Sequence, residues 1–451
     1  MSEYTFLEKP RVSCALGGAL ATVNALPRTV ALLHASLGCG GMTSNANQNG
    51  SGYLGSGYCG GNSIPTTSIG EREIVFGGLD RLEEQLRNTA EIIDADLFVV
   101  ITGCTAEIIG DDVESTVREY NENRGDNPPA ILASGAGFKG DSQWGYDSAM
   151  EAIFRSYVNP PIERKKGLVN VLGILPAQDV WWRGDLLEIR RILTGLGLEV
   201  NTFFTAQDSL DKIRQASEAE LNIVLSPTHG VTTAEVAEEL YSTPRLATGL
   251  PVGAKATTEF VLEIAKRLEL DQAKVDAFLA EERRNYYQIF NRLADAYADI
   301  DLQRYAVVVG NVRYAHAFAK FVNTELGWIT PLVVITDQVE SSLRPALVDR
   351  FRDFLEDADA VVVFETDTSL IETHLAERWP RPDGGRYYQP FSPAFVLGSR
   401  LDKEFAEGLG ISHLSVSYPV SNRVILNRGY AGFTGGLSLT EDIYTVALAA
   451  R

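Results

Sequence analysis

The chain has 451 residues, 45 % of them hydrophobic and 22 % charged, and a formal net charge of −20. That length exceeds one compact core and implies about two to four globular domains. The acidic balance excludes nucleic acid as a partner, since phosphates require a basic face, and argues against an anionic membrane surface. No unbroken apolar stretch is long enough to cross a bilayer, and the opening MSEYTFLEKPR has no signal-peptide pattern, so a cytoplasmic location is expected. Four cysteines in such a chain do not make a disulfide framework; in a reducing compartment they are ligands, nucleophiles or core residues.

Residues 1–165 read as a first α/β domain. RTVALLHA (28–35), ADLFVVIT (95–102) and PAILAS (129–134) are short, β-branched segments expected as buried parallel strands. Between the first two lies LDRLEEQLRNTAEII (79–93), whose Leu79, Leu82, Leu86 and Ile92 follow helical spacing. Residues 38–63 are dominated by glycine, serine and asparagine. They are expected as a loop, either a surface loop or a pliant wall over a cofactor or partner.

Residues 166–300 restart the βα rhythm. LVNVLGIL (168–175), LEVNTFF (198–204) and LNIVLSP (221–227) read as strands, and GDLLEIRRILTGLG (184–197) and SLDKIRQAS (209–217) as helices. A further helix over 230–240 has Thr232 or Thr233 as its expected N-cap, and 247–268 closes the block with a strand and a helix. Residues 301–451 repeat the pattern, with strands at 304–311, 329–336, 358–366 and 411–420 and helices at 314–327 and 342–356. Three successive blocks of this kind predict an α/β chain of three Rossmann-like domains with parallel sheets, whose ligands collect at the carboxyl ends of the strands.

Cys14, Cys39 and Cys104 lie in SCALGG, SLGCGG and ITGCTAEIIGDD, each beside small residues that let a backbone approach something bulky. Separations of 25 and 65 residues are no local metal motif, and buried free cysteine would satisfy them as well. The shared glycine context favours thiolate ligation of an iron–sulfur cluster. Glu107, Asp111 and Asp112 read either as a carboxylate metal site or as an acidic helix start. Tyr53, Tyr58 and Trp144 line an interface or simply pack, and IGEREIVFGG (69–78) reads on its own as a charged turn before a core strand.

Taken together, SCALGGALA, LLHASLGC, EIVFGGLDRL (73–82), GCTAEIIGDDV (103–113), GFKGDSQWGYD (137–147) and GLPVGAKATTEFV (249–261) resemble the nitrogenase component-1 family, most closely its β-type chains, over essentially the whole length. The resemblance implies the component-1 fold and Cys14, Cys39 and Cys104 as thiolate ligands to an iron–sulfur cluster of the P-cluster (8Fe–7S) type, shared with an α-type partner chain in a heterotetramer. It implies an ATP-dependent iron–sulfur reductase protein as electron donor, docking near 69–78. No Walker A motif occurs here, so the nucleotide chemistry belongs to that separate component. Cys59 is off the pattern and reads as a free thiol or a group near the cluster.

Departures from the dinitrogen-reducing chains are equally informative. Ser226 stands where α-type chains carry a cofactor-binding cysteine, and His229, His316, His374 and His413 have no thiolate companion, so they read as core or surface histidines. His34 matches a residue common in the family. Gly137 stands where those β chains carry a serine that binds the oxidised cluster, and the stretch ahead of Cys14 is short. These features resemble the methylthio-alkane reductase type, which cleaves carbon–sulfur bonds; the alternatives are the β subunit of an alternative nitrogenase and a cofactor-assembly scaffold.

Overall fold

A computed structural model describes residues 7–53, 64–299, 305–355, 360–378 and 395–449. Its twelve described strands form three sheets in which every pairing is parallel. The first sheet has the order β1-β2-β3, with β1 Thr29–His34, β2 Leu97–Thr102 and β3 Ala130–Ser134. The second comprises β4 Lys165–Leu172, β5 Glu199–Asn201, β6 Ala219–Val224 and β7 Arg245–Ala247, in the order β5-β4-β6-β7. The third comprises β8 Tyr305–Gly310, β9 Ile329–Ile335, β10 Val361–Phe364, β11 Phe395–Gly398 and β12 Ser412–Ser415, in the order β10-β9-β8-β11-β12. The expected α/β class with parallel sheets is therefore observed. Among the described residues, no helix is long and apolar enough to cross a membrane.

Internal contacts divide the chain into two compact units. One, residues 13–182 and 198–247, carries the first and second sheets. The other, residues 1–12, 183–197 and 248–451, carries the third. The sheets thus follow the three βα blocks of the sequence, whereas the second sheet shares a unit with the first.

Seven described helices surround the first sheet and its carboxyl edge: α1 Ala15–Ala25, α2 Cys39–Gly50, α3 Glu71–Phe76, α4 Leu79–Ile92, α5 Cys104–Ile109, α6 Val113–Asn123 and α7 Ser142–Ser156. Every residue of β2 is buried, as befits a strand covered on both faces. On one face Leu82 and Leu86 of α4 and Val113 and Val117 of α6 pack on Leu32, Phe98 and Val100. Each such leucine contributes about 2 kcal/mol through removal from water. Ile92, expected on the same stripe, is exposed. It lies six residues after Leu86, off the face that Thr89 and the half-buried Ala90 continue.

Four local expectations are corrected. Residues Cys39–Gly50 are helical, not a loop. The segment 71–76 is a short helix, with the Glu73 carboxylate accepting from its own N-cap Gly70, not a turn leading into a strand. The helix Val231–Tyr241 has Gly230, at φ +80°, as its N-cap. Thr233 lies inside it and donates through both its N–H and its hydroxyl to Asp147 of α7, at 3.2 and 2.7 Å. The first-turn donors are satisfied by a carboxylate from another helix instead of a local threonine. LEVNTFF yields only a three-residue strand, Glu199–Asn201.

The second unit holds a buried carboxylate with a measurable signature. Asp185 accepts from the backbone N–H groups of Tyr430 and Ala431, at 2.7 and 2.9 Å, and from the Tyr314 hydroxyl at 3.2 Å. Burial pushes its carboxyl up to about 6, against the opposing charge of Arg313. The folded state therefore binds the Asp185 proton more tightly than the unfolded chain, whose value is near 3.8. The associated stability is present below pH ~4 and is lost as pH rises through ~6, amounting to roughly 3 kcal/mol. Asp185→Asn keeps an acceptor for the two N–H groups, and the wild type's decline in unfolding midpoint between pH 4 and 7 should flatten in it. Parallel curves for the two proteins would refute the assignment.

Candidate functional site

Each of the three cysteines stands at the start of a helix. Cys14 is the N-cap of α1, in extended conformation. Cys39 opens α2 behind Gly38, whose φ of +91° only glycine adopts without strain. Cys104 opens α5, with Gly103 between it and β2. The free N–H groups of a helix's first turn carry partial positive charge and favour a thiolate there.

Two routes bring them to one edge. His34 and Thr102 pair at the ends of β1 and β2, and Thr102 pairs with Ser134 on β3, so the segments bearing Cys39, Cys104 and Gly137 all leave the same carboxyl edge. Cys14 arrives through α7: it bridges antiparallel to Asp141, the Ala15 N–H donates to the Gly140 carbonyl at 3.2 Å, and the Ser142 N–H to the Ser13 carbonyl at 2.9 Å.

Gly137 lies between two of the thiols. Its N–H donates to Cys104 Sγ at 3.0 Å. A Cβ at this position would stand 3.1 Å from Cys14 Cβ, 3.6 Å from Cys104 Sγ and 3.8 Å from Cys14 Sγ. Cys14 and Cys104 are exposed and Cys39 is half-buried. Burial pushes the Cys39 thiol above its ordinary range, and charge on Cys14 and Cys104 pushes it the same way. Three thiolates here therefore require compensating positive charge, which iron in a thiolate-held cluster supplies. Among the described residues, no three His, Cys, Asp or Glu side chains are placed to hold a metal ion by themselves. The three thiols are therefore not placed as a closed mononuclear site. Cys59 and Tyr58 lie outside the described residues.

The polar groups around the trio are engaged with one another. His34 is fully buried, with Nδ1 3.1 Å from Thr67 Oγ1 and Nε2 2.9 Å from Asp111 Oδ2. Burial lowers its pKa against the pull of Asp111. Asp111 also accepts from the Gly78 N–H at 3.1 Å. Burial opposes ionisation of Glu107, but bonds from Lys139, Ser134 and Thr102 outweigh it and hold the carboxyl below its ordinary value. Asp112 caps α6 by accepting from the Ser115 N–H. The three carboxylates therefore serve separate partners, and of them only Asp112 caps a helix start.

The cysteines are set among exposed apolar side chains: Leu37, Met42, Ile108 and Phe138 flank them in sequence, and α3 presents Ile74, Val75 and Phe76, the last 83 % exposed. Exposed large apolar side chains are what an interaction face uses when they are contiguous. Tyr53 is exposed and Trp144 stands near Lys139, whose ammonium lies 5.9 Å from the indole centroid. At the carboxyl end of β6, Ser226 is fully buried with its Oγ 3.0 Å from His229 Nδ1. His413 Nε2 donates to the Ser399 carbonyl, His374 meets Glu365, and His316 sits edge-on to Phe351 and Phe354. Gly137 stands out in the sequence only for the missing serine; its N–H bond to the Cys104 sulfur has no signal in composition.

The nitrogenase component 1 type oxidoreductase family model matches residues 14–448. A nitrogenase molybdenum-iron protein beta chain of Methanococcus maripaludis is 25 % identical over 99 % of this chain and 95 % of its own. One of the subunits of the light-independent protochlorophyllide reductase of a Synechococcus sp. is 23 % identical over 84 % of this chain and 72 % of its own. A solved structure described as "Nitrogenase Cp1 at pH 6.5" superposes with a TM-score of 0.80 at 19 % identity, covering 100 % of this chain and 95 % of that one, and so speaks for the fold. With a family match spanning nearly all of its length, this chain belongs to the nitrogenase component 1 type oxidoreductases.

Proposed function

We propose that the chain is the β-type subunit of a nitrogenase-like reductase, organised as Rossmann-like domains over 1–165, 166–300 and 301–451 and paired with an α-type chain in a cytoplasmic heterotetramer. The observation that carries this reading is the placement of helix-starting Cys14 and Cys104 on either side of Gly137, with the helix that starts at Cys39 leaving the same sheet edge, and with exposed apolar side chains next to them in sequence. Cys14, Cys39 and Cys104 hold their share of an iron–sulfur cluster of P-cluster type, and the α-type chain supplies the remaining ligands. When bound, that cluster supplies one-electron relay between an ATP-dependent iron–sulfur reductase and a cofactor in the partner chain. The Gly137 N–H donates to the Cys104 sulfur, stabilising negative charge on it. Leu37, Met42, Ile108 and Phe138 exclude water once the partner covers them. Support for placing the substrate cofactor elsewhere comes from Ser226, whose hydroxyl pairs with His229 where a ligand thiol would be needed.

The proposed reaction is reductive carbon–sulfur cleavage of methylthio-alkanes, motivated by Gly137 in place of serine and by the glycine-rich residues after Cys39. The deciding experiment purifies the chain anaerobically with its partner and measures iron, acid-labile sulfide and EPR. Roughly eight cluster irons per pair, beyond the partner's own cofactor, are expected. About four would point to a single-cubane protein, and none would end the reading. Hydrocarbon and thiol release, assayed beside ammonia from dinitrogen, separates the proposed substrate from a dinitrogen-reducing enzyme.

The docking face for the reductase is assigned to α3. Phe76→Asp is expected to raise the reductase concentration needed for half-maximal turnover by about tenfold, through loss of an exposed aromatic anchor, with iron content unchanged. An unaltered titration would move the docking face elsewhere.

A further inference from the structure

Helix α2 is built from residues that do not make helices on their own. Its sequence, CGGMTSNANQNG, contains Gly40, Gly41 and Gly50 and three asparagines, all poor helix formers. It has no apolar stripe either: its buried residues are Gly40, Asn47 and Gly50, and Met42 is 77 % exposed. A segment this short and this polar is not stable as an isolated helix. Something other than hydrophobic burial holds Cys39 where it is.

That something is a buried amide. Asn47, 6 % exposed, donates from Nδ2 to the Gly17 carbonyl of α1 at 2.9 Å. Its Oδ1 accepts from Gln178 Nε2 at 3.4 Å, and Gln178 Oε1 in turn accepts from the Ser142 hydroxyl, at the start of α7. One turn on, the Ser51 hydroxyl donates to the Asn47 carbonyl at 2.6 Å and lies against the Ala177 carbonyl. Ala177 is a non-glycine residue at φ +66°, a left-handed conformation that costs energy and persists only where its surroundings enforce it. The helix beginning with Cys39 is thereby tied to the helix capped by Cys14 and to the helix whose cap, Asp141, bridges Cys14.

We propose that Asn47 is the positioning residue for Cys39: its side-chain amide, not apolar packing, sets the place of α2 against α1 and so the place of the Cys39 thiol relative to Cys14. The consequence for a shared cluster rests on the function proposed above; the positioning itself does not. Removing the amide leaves the Gly17 carbonyl and the Gln178 amide without that partner in a buried setting, and apart from the close approach of Gly40 to Leu33, α2 buries no large apolar side chain of its own to fall back on.

The test uses the full chain prepared free of iron, with iodoacetamide labelling of each cysteine resolved by mass spectrometry. In Asn47→Ala, Cys39 is expected to react roughly tenfold faster while Cys14 and Cys104 keep their wild-type rates. Gln178→Ala, which leaves the Gly17 contact intact, should give a smaller rise confined to Cys39 and keeps the test valid if Asn47→Ala folds poorly. Amide hydrogen exchange should quicken across 40–50 and stay slow in β2. Unchanged Cys39 labelling in both variants, or an equal rise at all three cysteines, overturns the proposal. Iron analysis of the wild-type complex is read separately: a complex without iron defeats the cluster function and leaves the labelling contrast to judge Asn47.

Discussion

On the function proposed above, Cys39→Ala should strip the complex of the iron shared between the two chain types. Cys39 is the half-buried member of the trio and the one whose thiol burial and neighbouring charge push upward. As a ligand it releases that proton to solvent when its thiolate binds a metal; as alanine it offers no thiolate. With one thiolate gone the remaining two exposed cysteines do not retain a bridging group, and about four fifths or more of the cluster iron should be lost. Subunit pairing should weaken about tenfold or more as well, since in the proposed function a shared group closes the interface. Iron content and sedimentation of the anaerobic complex report both effects. A variant with full iron and an intact tetramer would remove Cys39 from the ligand set.

A comparable loss is expected from a residue with no functional group at all. Helices α1 and α7 meet backbone to backbone: a Cβ at Gly145 would lie 1.9 Å from the Ala15 carbonyl oxygen and 2.9 Å from the Ala19 nitrogen, and one at Gly18 would lie 1.9 Å from the Ser142 carbonyl oxygen. Backbone does not yield as the tip of a side chain does. Gly145→Val should therefore force the helices apart and destabilise the unit by about 3 kcal/mol or more. Because α1 carries Cys14 as its cap and α7 follows Gly137 by five residues, the same displacement should lower cluster iron. Gly145→Ala should be milder but still destabilising. An unfolding free energy within about 0.5 kcal/mol of wild type for Gly145→Val would mean that the close approach is easily relaxed.

Much of the sheet framework is legible in the chain. LFVVIT is β-branched or aromatic at every residue after Leu97 and becomes a strand buried on both faces. Leu79, Leu82 and Leu86 announce the face of α4, although Ile92 falls beyond it and is exposed. The misses share a cause. Residues 39–50 have a loop's composition and nonetheless form a helix, because Asn47, Gly17 and Gln178 meet in three dimensions. Thr233 has the chemistry of an N-cap but sits inside its helix, because Asp147, 86 residues away, already serves those donors. Residues 71–76 look like a charged turn yet form a helix that turns Ile74, Val75 and Phe76 outward.

The chain's sequence by itself determined the α/β alternation, the parallel strands and the identity of the three cysteines worth watching, since hydrophobic period and residue chemistry are local properties. Separations of 25 and 65 residues, however, say nothing about proximity. Only the tertiary structure decided that Cys39 and Cys104 leave the same sheet edge, through the register of His34 with Thr102, and that Cys14 joins them through the contact of α1 with α7. Proximity there depends on strand register and on backbone approach at glycine, and both are set by the packing of segments far apart in the chain.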